Sequence, residues 1–131
     1  MIKDDVTKAL GILGFIPEEI EGYGQRIEYE GLNMLISDED EEAKCVNMLV
    51  PCLFTLSEEN RHMVYDALIQ LCCKMKYVQP IIMFKNQIWL NYQHFVGDND
   101  VTPELLEHMI HVLNLATINF LKIINEDDYG L

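Results

Sequence analysis

The sequence predicts a single α+β domain in which helices pack against an antiparallel sheet. Apolar residues recur at helical spacing in three segments, and five other segments show strand-like alternation or short apolar runs. Short turns connect most of the strand segments, and such turns favour antiparallel pairing. The predicted order is therefore α-β-β-β-α-β-β-α. Residues 1–131 contain no linker or internal repeat that would mark a domain boundary.

The first helix and three strands occupy the N-terminal half of the chain. Gly14 is placed to end the helix. The apolar period changes to two at Gln25, and strands are predicted from there, over Leu32–Ser37 and over 44–53. Pro51 is expected to interrupt or end the third strand. One face of the helix collects the apolar residues Ile2, Val6, Ala9, Leu10 and Leu13.

A middle helix follows the third strand. Ser57 is a favourable N-cap, and Glu58 and Glu59 stand in the first turn, where the helix dipole favours acidic side chains. We expect this helix to run to about Lys76. Its predicted core face consists of Met63, Val64, Ala67, Leu68, Leu71, Cys72 and Met75.

A hairpin and a long helix complete the chain. The segments 77–84 and 88–96 are rich in apolar residues and flank a short polar turn, which is typical of a β-hairpin. Thr102 is the predicted N-cap of the last helix, which runs to about Asn125. We expect residues 126–131 to fray.

Composition and charge exclude several functional classes. The chain carries 9 Lys and Arg against 22 Asp and Glu, which gives a net charge of −13. Nucleic-acid binding needs clustered basic residues, so no nucleic-acid partner is expected. No stretch of 18 apolar residues occurs, so no membrane span is expected. The first residues carry acids where a signal peptide carries bases, which favours a cytoplasmic location.

The four cysteines are expected to be reduced, buried thiols. Cys72 and Cys73 are adjacent within a helical pattern and point in different directions, and no secretion signal is present. The sequence also lacks a C-x-x-C pair and finger-like spacing between cysteines and histidines. Neither a disulfide framework nor a zinc site is therefore predicted from Cys45, Cys52 and this pair.

No catalytic constellation is recognisable, so we expect a protein that is not an enzyme and needs no cofactor. The motifs G-x-S-x-G, G-x-x-x-x-G-K-[ST] and G-x-G-x-x-G are all absent. One alternative is a metal or small-ligand site at His108 and His111, which are spaced i, i+3 near Glu104 and Glu107. Ordinary exposed polar residues are the favoured interpretation of this pair, so no bound metal is expected.

Five consecutive acids occupy residues 38–42. A calcium loop beginning at Asp38 would need glycine and glutamate at its sixth and twelfth positions, where Ala43 and Leu49 stand. A solvated loop is therefore the preferred interpretation. The run also leaves open an acidic inhibitor or immunity-type protein that neutralises a basic partner. The contacting residues would then be Asp38, Glu39, Asp40, Glu41 and Glu42.

Two helices carry more apolar surface than one core can cover. Tyr65, Ile69 and Cys73 recur at i, i+4 and i+8, opposite the predicted core face of the middle helix. Leu115 and Ile118 fall among the charged residues and histidines of the last helix. A helix that is apolar on more than one face needs a second burial partner. We expect these five residues to form an interface with another protein or with a second copy of the chain. The alternative is that another element of the same chain, such as the first helix, covers them.

The distribution of charge favours the same region. Residues 67–97 contain no acidic residue and three lysines, which gives this segment a charge of +3. The rest of the chain therefore carries a charge of −16, and the two together make the net charge of −13. The acidic remainder keeps the surface solvated. The acid-free segment is left able to pack, either within the core or against a partner.

Over residues 2–125, the element order, size, low pI and doubly apolar middle helix resemble the fold of type III secretion chaperones and YbjN-like bacterial proteins. Gln87 to Tyr92 (QIWLNY) and Thr102 to Leu106 (TPELL) carry the YbjN-like resemblance. The resemblance implies a non-enzymatic cytosolic protein that binds another polypeptide and dimerises through the middle helix. Tyr65, Ile69 and Cys73 would then lie near a two-fold axis. The leading hypothesis is a dimeric protein-interaction module.

Overall fold

The computed structural model describes residues 2–37, 44–97 and 101–128. Within these residues, three helices and one six-stranded antiparallel sheet confirm the predicted α+β class. In chain order the elements are α1 (Ile2–Ile12), β1 (Glu18–Ile20), β2 (Gly24–Tyr29), β3 (Leu32–Ser37), β4 (Cys45–Thr55), α2 (Arg61–Lys74), β5 (Val78–Met83), β6 (Gln87–Phe95) and α3 (Pro103–Asp128).

The strands lie in the order β1-β2-β3-β4-β6-β5, and each neighbouring pair is antiparallel. Glu30 and Gly31 both have positive φ and form the tight turn between β2 and β3, a backbone geometry that matches the twist of a hairpin. The connection through α2 carries the chain from β4 to β5 at the edge of the sheet. β6 then returns to pair with both β4 and β5.

The sheet has one covered face and one outer face. Side chains alternate between the faces of a strand, and the registers align Ile36 with Met48 and Met48 with Tyr92. These three residues belong to the hydrophobic core, to which all three helices contribute. No helix within the described residues packs over the opposite face. One row of outer-face residues crosses all six strands as Glu18, Arg26, Leu35, Leu49, Asn91 and Gln79.

α3 is the central helix of the covered face. It contacts α1, α2 and strands β4, β5 and β6. Its Phe120 is fully buried and meets Phe54 of β4 edge to face, with ring centroids 6.1 Å apart. Thr102 is the predicted N-cap, and its Oγ1 accepts a hydrogen bond from the Leu105 N–H at 3.2 Å. The last helix therefore supplies the surface on which the other two helices are positioned.

Two strands differ from prediction. β1 was not predicted, because its three residues include two exposed glutamates and show no alternation. It is held by its pairing with β2. β4 does not end at Pro51 but continues to Thr55. Val50 pairs with Leu90 and Phe54 pairs with Ile88, so three intervening residues of β4 face a single residue of β6 in a bulge. This bulge accommodates the proline because the ladder of hydrogen bonds is already interrupted there.

The helix boundaries also differ in detail. α2 begins at Arg61, so the prediction that Ser57 caps it is wrong. The Ser57 N–H donates to Asn60 Oδ1 at 2.8 Å, and the Asn60 N–H donates to Ser57 Oγ at 3.2 Å. These reciprocal bonds form a separate turn in front of the helix. At the other end of the chain, α3 continues beyond Asn125 to Asp128.

The cysteines form no disulfide, as predicted, but the expectation that they are buried is wrong. Cys52, Cys72 and Cys73 are exposed and Cys45 is half-buried. Cys52 lies in the β4 bulge, where its Sγ donates to Gln87 Oε1 at 3.1 Å. Cys72 faces solvent because the buried stripe of α2 is narrower than predicted. That stripe consists of Val64, Ala67, Leu68 and Leu71.

The backbone of Gly24 provides a test of this architecture. Gly24 has a φ of 118°, and a Cβ there would overlap the carbonyl oxygen of Ile36 on the neighbouring strand. We expect Gly24→Ala to lower the free energy of unfolding by about 2 kcal/mol or more. Gly11 lies in α1, and an added methyl group there would meet no atom within 4 Å, so Gly11→Ala should raise stability by roughly 0.5–1 kcal/mol. Denaturant unfolding of the two variants measures the contrast, and equal effects would contradict it.

Candidate interaction surfaces

The apolar stripe on α2 is exposed along its whole length. Ile69 is 63% exposed and Tyr65 is 38% exposed, and Cys73 is also exposed. At about 100° per residue, the three side chains fall within about 80° of one another around the helix axis. They lie on the side away from Val64 and Leu71, which are buried in the core. The predicted second apolar face of this helix is therefore a feature of the folded surface.

The two predicted residues of α3 are exposed as well, and at a spacing of i, i+3 they lie about 60° apart on one side of the helix. Ile118 is 52% exposed and follows His111 by two helical turns, so both point in nearly the same direction. Leu115 is 39% exposed and follows His108 by two turns in the same way. The helix thus keeps Leu115 and Ile118 on the side where the sequence pattern grouped them.

The stripes on α2 and α3 do not meet. The end of α2 faces α3 through Lys74 and Met75, which line a cleft of about 260 Å³ together with His108 and Val112. Ile69 points away from Lys74 around the α2 axis. The α2 stripe and the α3 residues therefore form separate surfaces of the molecule.

A larger cleft of about 440 Å³ lies between the end of α1, strand β2 and α3. Its walls combine apolar side chains with polar groups, and Glu107 and His111 contribute polar groups from α3. Ile118 continues the same face of α3 beyond His111. The lining residues are Ile12, Leu13, Phe15, Tyr29, Glu107, Ile110 and His111. We call this cleft together with Ile118 the α3 flank.

The two histidines of the metal alternative are not brought to one site. His111 lines the cleft of the α3 flank, whereas His108 lines the smaller cleft beside α2. The His108 ring also meets the Tyr92 ring edge to face at 6.4 Å. Among the residues that the structure describes, no group of three or more His, Cys, Asp or Glu side chains could hold a metal ion. The acidic run proposed for an inhibitor, residues 38–42, lies outside the described residues.

The fold alters the acidity of the Tyr92 phenol. Burial against the core raises the pKa of its phenol above the usual value of 10.0, and the neighbouring Tyr77 raises it further. The two rings are stacked with centroids 6.1 Å apart. The folded state thus favours the neutral phenol.

The sequence did not single out the outer face of the sheet, which carries unusual burial. Leu35 and Trp89 are 8% and 5% exposed, although they lie outside the hydrophobic core beneath the helices. Asn91 is 7% exposed, and its Oδ1 has no hydrogen-bond partner; the same is true of Asn47 Oδ1. The sequence signal for this face was the alternation along β4, in which Asn47 and Leu49 stand between the core residues Val46, Met48 and Val50. The prediction used only the core-facing residues of that alternation.

Comparison with known proteins supports the fold. No family model matches the chain, and no curated protein matches it. The structure of YbjN from E. coli is similar with a TM-score of 0.64 and 13% sequence identity, covering 96% of this chain and 90% of that one. An uncharacterized protein from Methanothermobacter thermautotrophicus has a TM-score of 0.57 and 13% identity, covering 97% and 99% of the two chains. The predicted YbjN-like resemblance is therefore confirmed at the level of the fold.

Within the described residues, no helix is both long enough and apolar enough to cross a bilayer.

The raised pKa of Tyr92 predicts how stability depends on alkaline pH. Its neutral form is favoured in the folded state, so its contribution is complete below the unfolded pKa of about 10 and is lost as pH rises through the folded pKa. We expect Tyr92→Phe to flatten the fall in unfolding free energy above pH 10. Tyr23→Phe, at an exposed tyrosine, is the matched control. Denaturant unfolding at several alkaline pH values measures both, and parallel curves for Tyr92→Phe and the wild type would contradict the assignment.

Proposed function

We propose that this protein is a non-enzymatic, cytoplasmic protein-interaction module that self-associates through α2 and binds another polypeptide along the α3 flank. The exposed apolar stripe on α2 carries the proposal, because Ile69 stands 63% exposed between two other apolar side chains. Such a stripe on a helix that already buries its opposite side is typical of a surface that is covered by a partner. The proposal requires no metal or cofactor.

Self-association is favoured for the α2 surface by its geometry. A two-fold axis passing near Ile69 would bring the same three side chains of a second copy against this stripe, so one moderate stripe suffices for both sides. Full burial of a side chain such as Ile69 is worth about 1.5–3 kcal/mol, and the symmetry doubles the number of such contacts. Leu115 lies on α3, whose exposed residues form a separate surface from the α2 stripe, so this contact does not include it.

The α3 flank is better suited to a different polypeptide. It is concave and combines apolar side chains with polar groups, including those of Glu107 and His111. A cleft of this kind accepts one or two apolar side chains, while the polar groups fix the orientation of the bound segment. Ile118 would extend the apolar contact beyond the cleft. The fold shared with YbjN is compatible with this arrangement and carries no further functional argument at 13% identity.

The α2 contact is tested by charge insertion. We expect Ile69→Asp to halve the molecular mass of the wild-type assembly, because each copy would bury an unpaired carboxylate at the two-fold axis. Light scattering coupled to size-exclusion chromatography measures the mass. Ile16→Asp is the matched control, because Ile16 is 95% exposed and lies outside both surfaces. An unchanged mass for Ile69→Asp, or an equal loss for Ile16→Asp, would exclude the α2 contact.

The α3 flank is tested by Ile118→Asp. We expect this variant to keep the wild-type mass and fold but to lose at least about tenfold in affinity for a polypeptide partner captured from a lysate of the source cells. Quantitative mass spectrometry compares the captured proteins for the wild type, Ile118→Asp and Ile16→Asp. A partner that all three retain equally does not use the α3 flank, and the docking assignment would then be abandoned.

A further inference from the structure

We infer that the cleft between the end of α2 and α3 binds a small phosphate monoester with a compact apolar body. None of its lining residues belongs to the α2 stripe or to the α3 flank, so the inference does not depend on the two proposed protein contacts. We call it the α2–α3 cleft. Its lining residues are Lys74, Met75, Lys76, Tyr77, His108 and Val112.

The α2–α3 cleft is basic, although the protein is strongly acidic. Acids outnumber Lys and Arg by 22 to 9 in the chain, yet the described lining of this cleft contains two lysines, a histidine and no acid. Glu104 and Glu107 are close to His108 in sequence, but neither lines the cleft. Within the described residues, neither Lys74 nor Lys76 forms an ion pair. Both positive charges are therefore available to an anion from outside the chain.

The cleft is open to a ligand. Lys74, Lys76, Tyr77 and His108 are all exposed, so the groups that would contact an anion are accessible in the folded chain. Lysine side chains can place their apolar stems along a wall while the ammonium groups stay at the solvent edge. The cleft thus has its cations at the mouth.

Two backbone hydrogen bonds fix the segment that carries both lysines. The Met75 N–H donates to the Leu71 carbonyl oxygen at 2.8 Å at the end of α2. The Val78 N–H, at the start of β5, donates to the Met75 carbonyl oxygen at 3.4 Å. Lys76 therefore lies in a short turn that is held at both ends, two residues after Lys74. This arrangement lowers the entropic cost of ordering the site on binding.

The two rings of the cleft rest on one buried ring. Tyr77 stacks on Tyr92 with centroids 6.1 Å apart, and His108 meets the same Tyr92 ring edge to face at 6.4 Å. Tyr92 is 4% exposed and belongs to the hydrophobic core, so it holds both rings in position. The Tyr77 phenol and the His108 imidazole each bring a hydrogen-bond donor to the cleft.

The wall and the mouth together define the class of ligand. The wall is mainly apolar and includes Met75 and Val112, which suits a carbon skeleton. The volume of about 260 Å³ lies below the range of about 300–1,000 Å³ that is typical of sites for drug-sized ligands. A phosphate monoester carries a charge of about −1.5 to −2 at pH 7, which matches two lysines better than the single charge of a carboxylate does. A small ring or short chain bearing a phosphate meets all three conditions.

The test uses phenyl phosphate as the probe. Isothermal titration calorimetry at low salt should give a dissociation constant of about 1 mM or lower. The backbone amide NMR signals of residues 74–77 and 108–112 should shift with the same constant. The double variant Lys74→Gln, Lys76→Gln should weaken binding by at least about tenfold, because the phosphate loses both cations. Both positions are exposed, so the variant is expected to fold.

The control variant removes the same charge elsewhere. Lys85 and Lys122 are exposed and do not line the cleft, so Lys85→Gln, Lys122→Gln should leave the affinity for phenyl phosphate unchanged. Benzoate has the same ring with a single charge, and inorganic phosphate has the charge without the ring. Each should bind more weakly than phenyl phosphate.

Three results would overturn the inference. They are the absence of phenyl phosphate binding, an equal loss of affinity in the two double variants, and an affinity for benzoate or inorganic phosphate that equals the affinity for phenyl phosphate.

Discussion

The alternation of side chains across the antiparallel sheet is the constraint on which the rest of the structure depends. It sends Met48 and Tyr92 to one face and Leu49 and Asn91 to the other, so each strand contributes to two different surfaces. The helices pack on the first face and complete the core there. On the second face, polar side chains must find hydrogen-bond partners among their own neighbours. Asn91 does not do so completely, because its Oδ1 has no partner.

The helical side of the molecule is organised around α3. This helix contacts the other two helices and three strands, and its fully buried Phe120 anchors it on the sheet. Because α3 separates α1 from α2, it also separates the clefts on its two sides. His111 and His108 are only three residues apart in sequence and face different clefts for this reason. A pair that suggested one site in the sequence belongs to two sites in the fold.

Charge and apolar surface have complementary distributions. The acid-free segment 67–97 contributes part of α2, the edge strand β5 and the central strand β6. Ile69, on α2, is exposed and apolar, whereas Gln79 and Gln93, on the strands, are exposed and uncharged. The acid-free segment therefore supplies surface without negative charge on both the helical side of the molecule and the sheet, whereas the acidic residues lie in the rest of the chain.

Local sequence determined the element types, because periodicity and capping act over a few residues. The exposed α2 stripe, the Thr102 cap, and the order of the three helices and of five of the six strands were predicted in this way. Tertiary structure decided what depends on distant neighbours. β1 forms only because it pairs with β2, and β4 continues past Pro51 because a bulge against β6 accommodates the proline. Tertiary structure also left His108 and His111 beside different clefts and Asn91 Oδ1 without a donor, because clefts, burial and hydrogen bonding are set by strands and helices far apart in the chain.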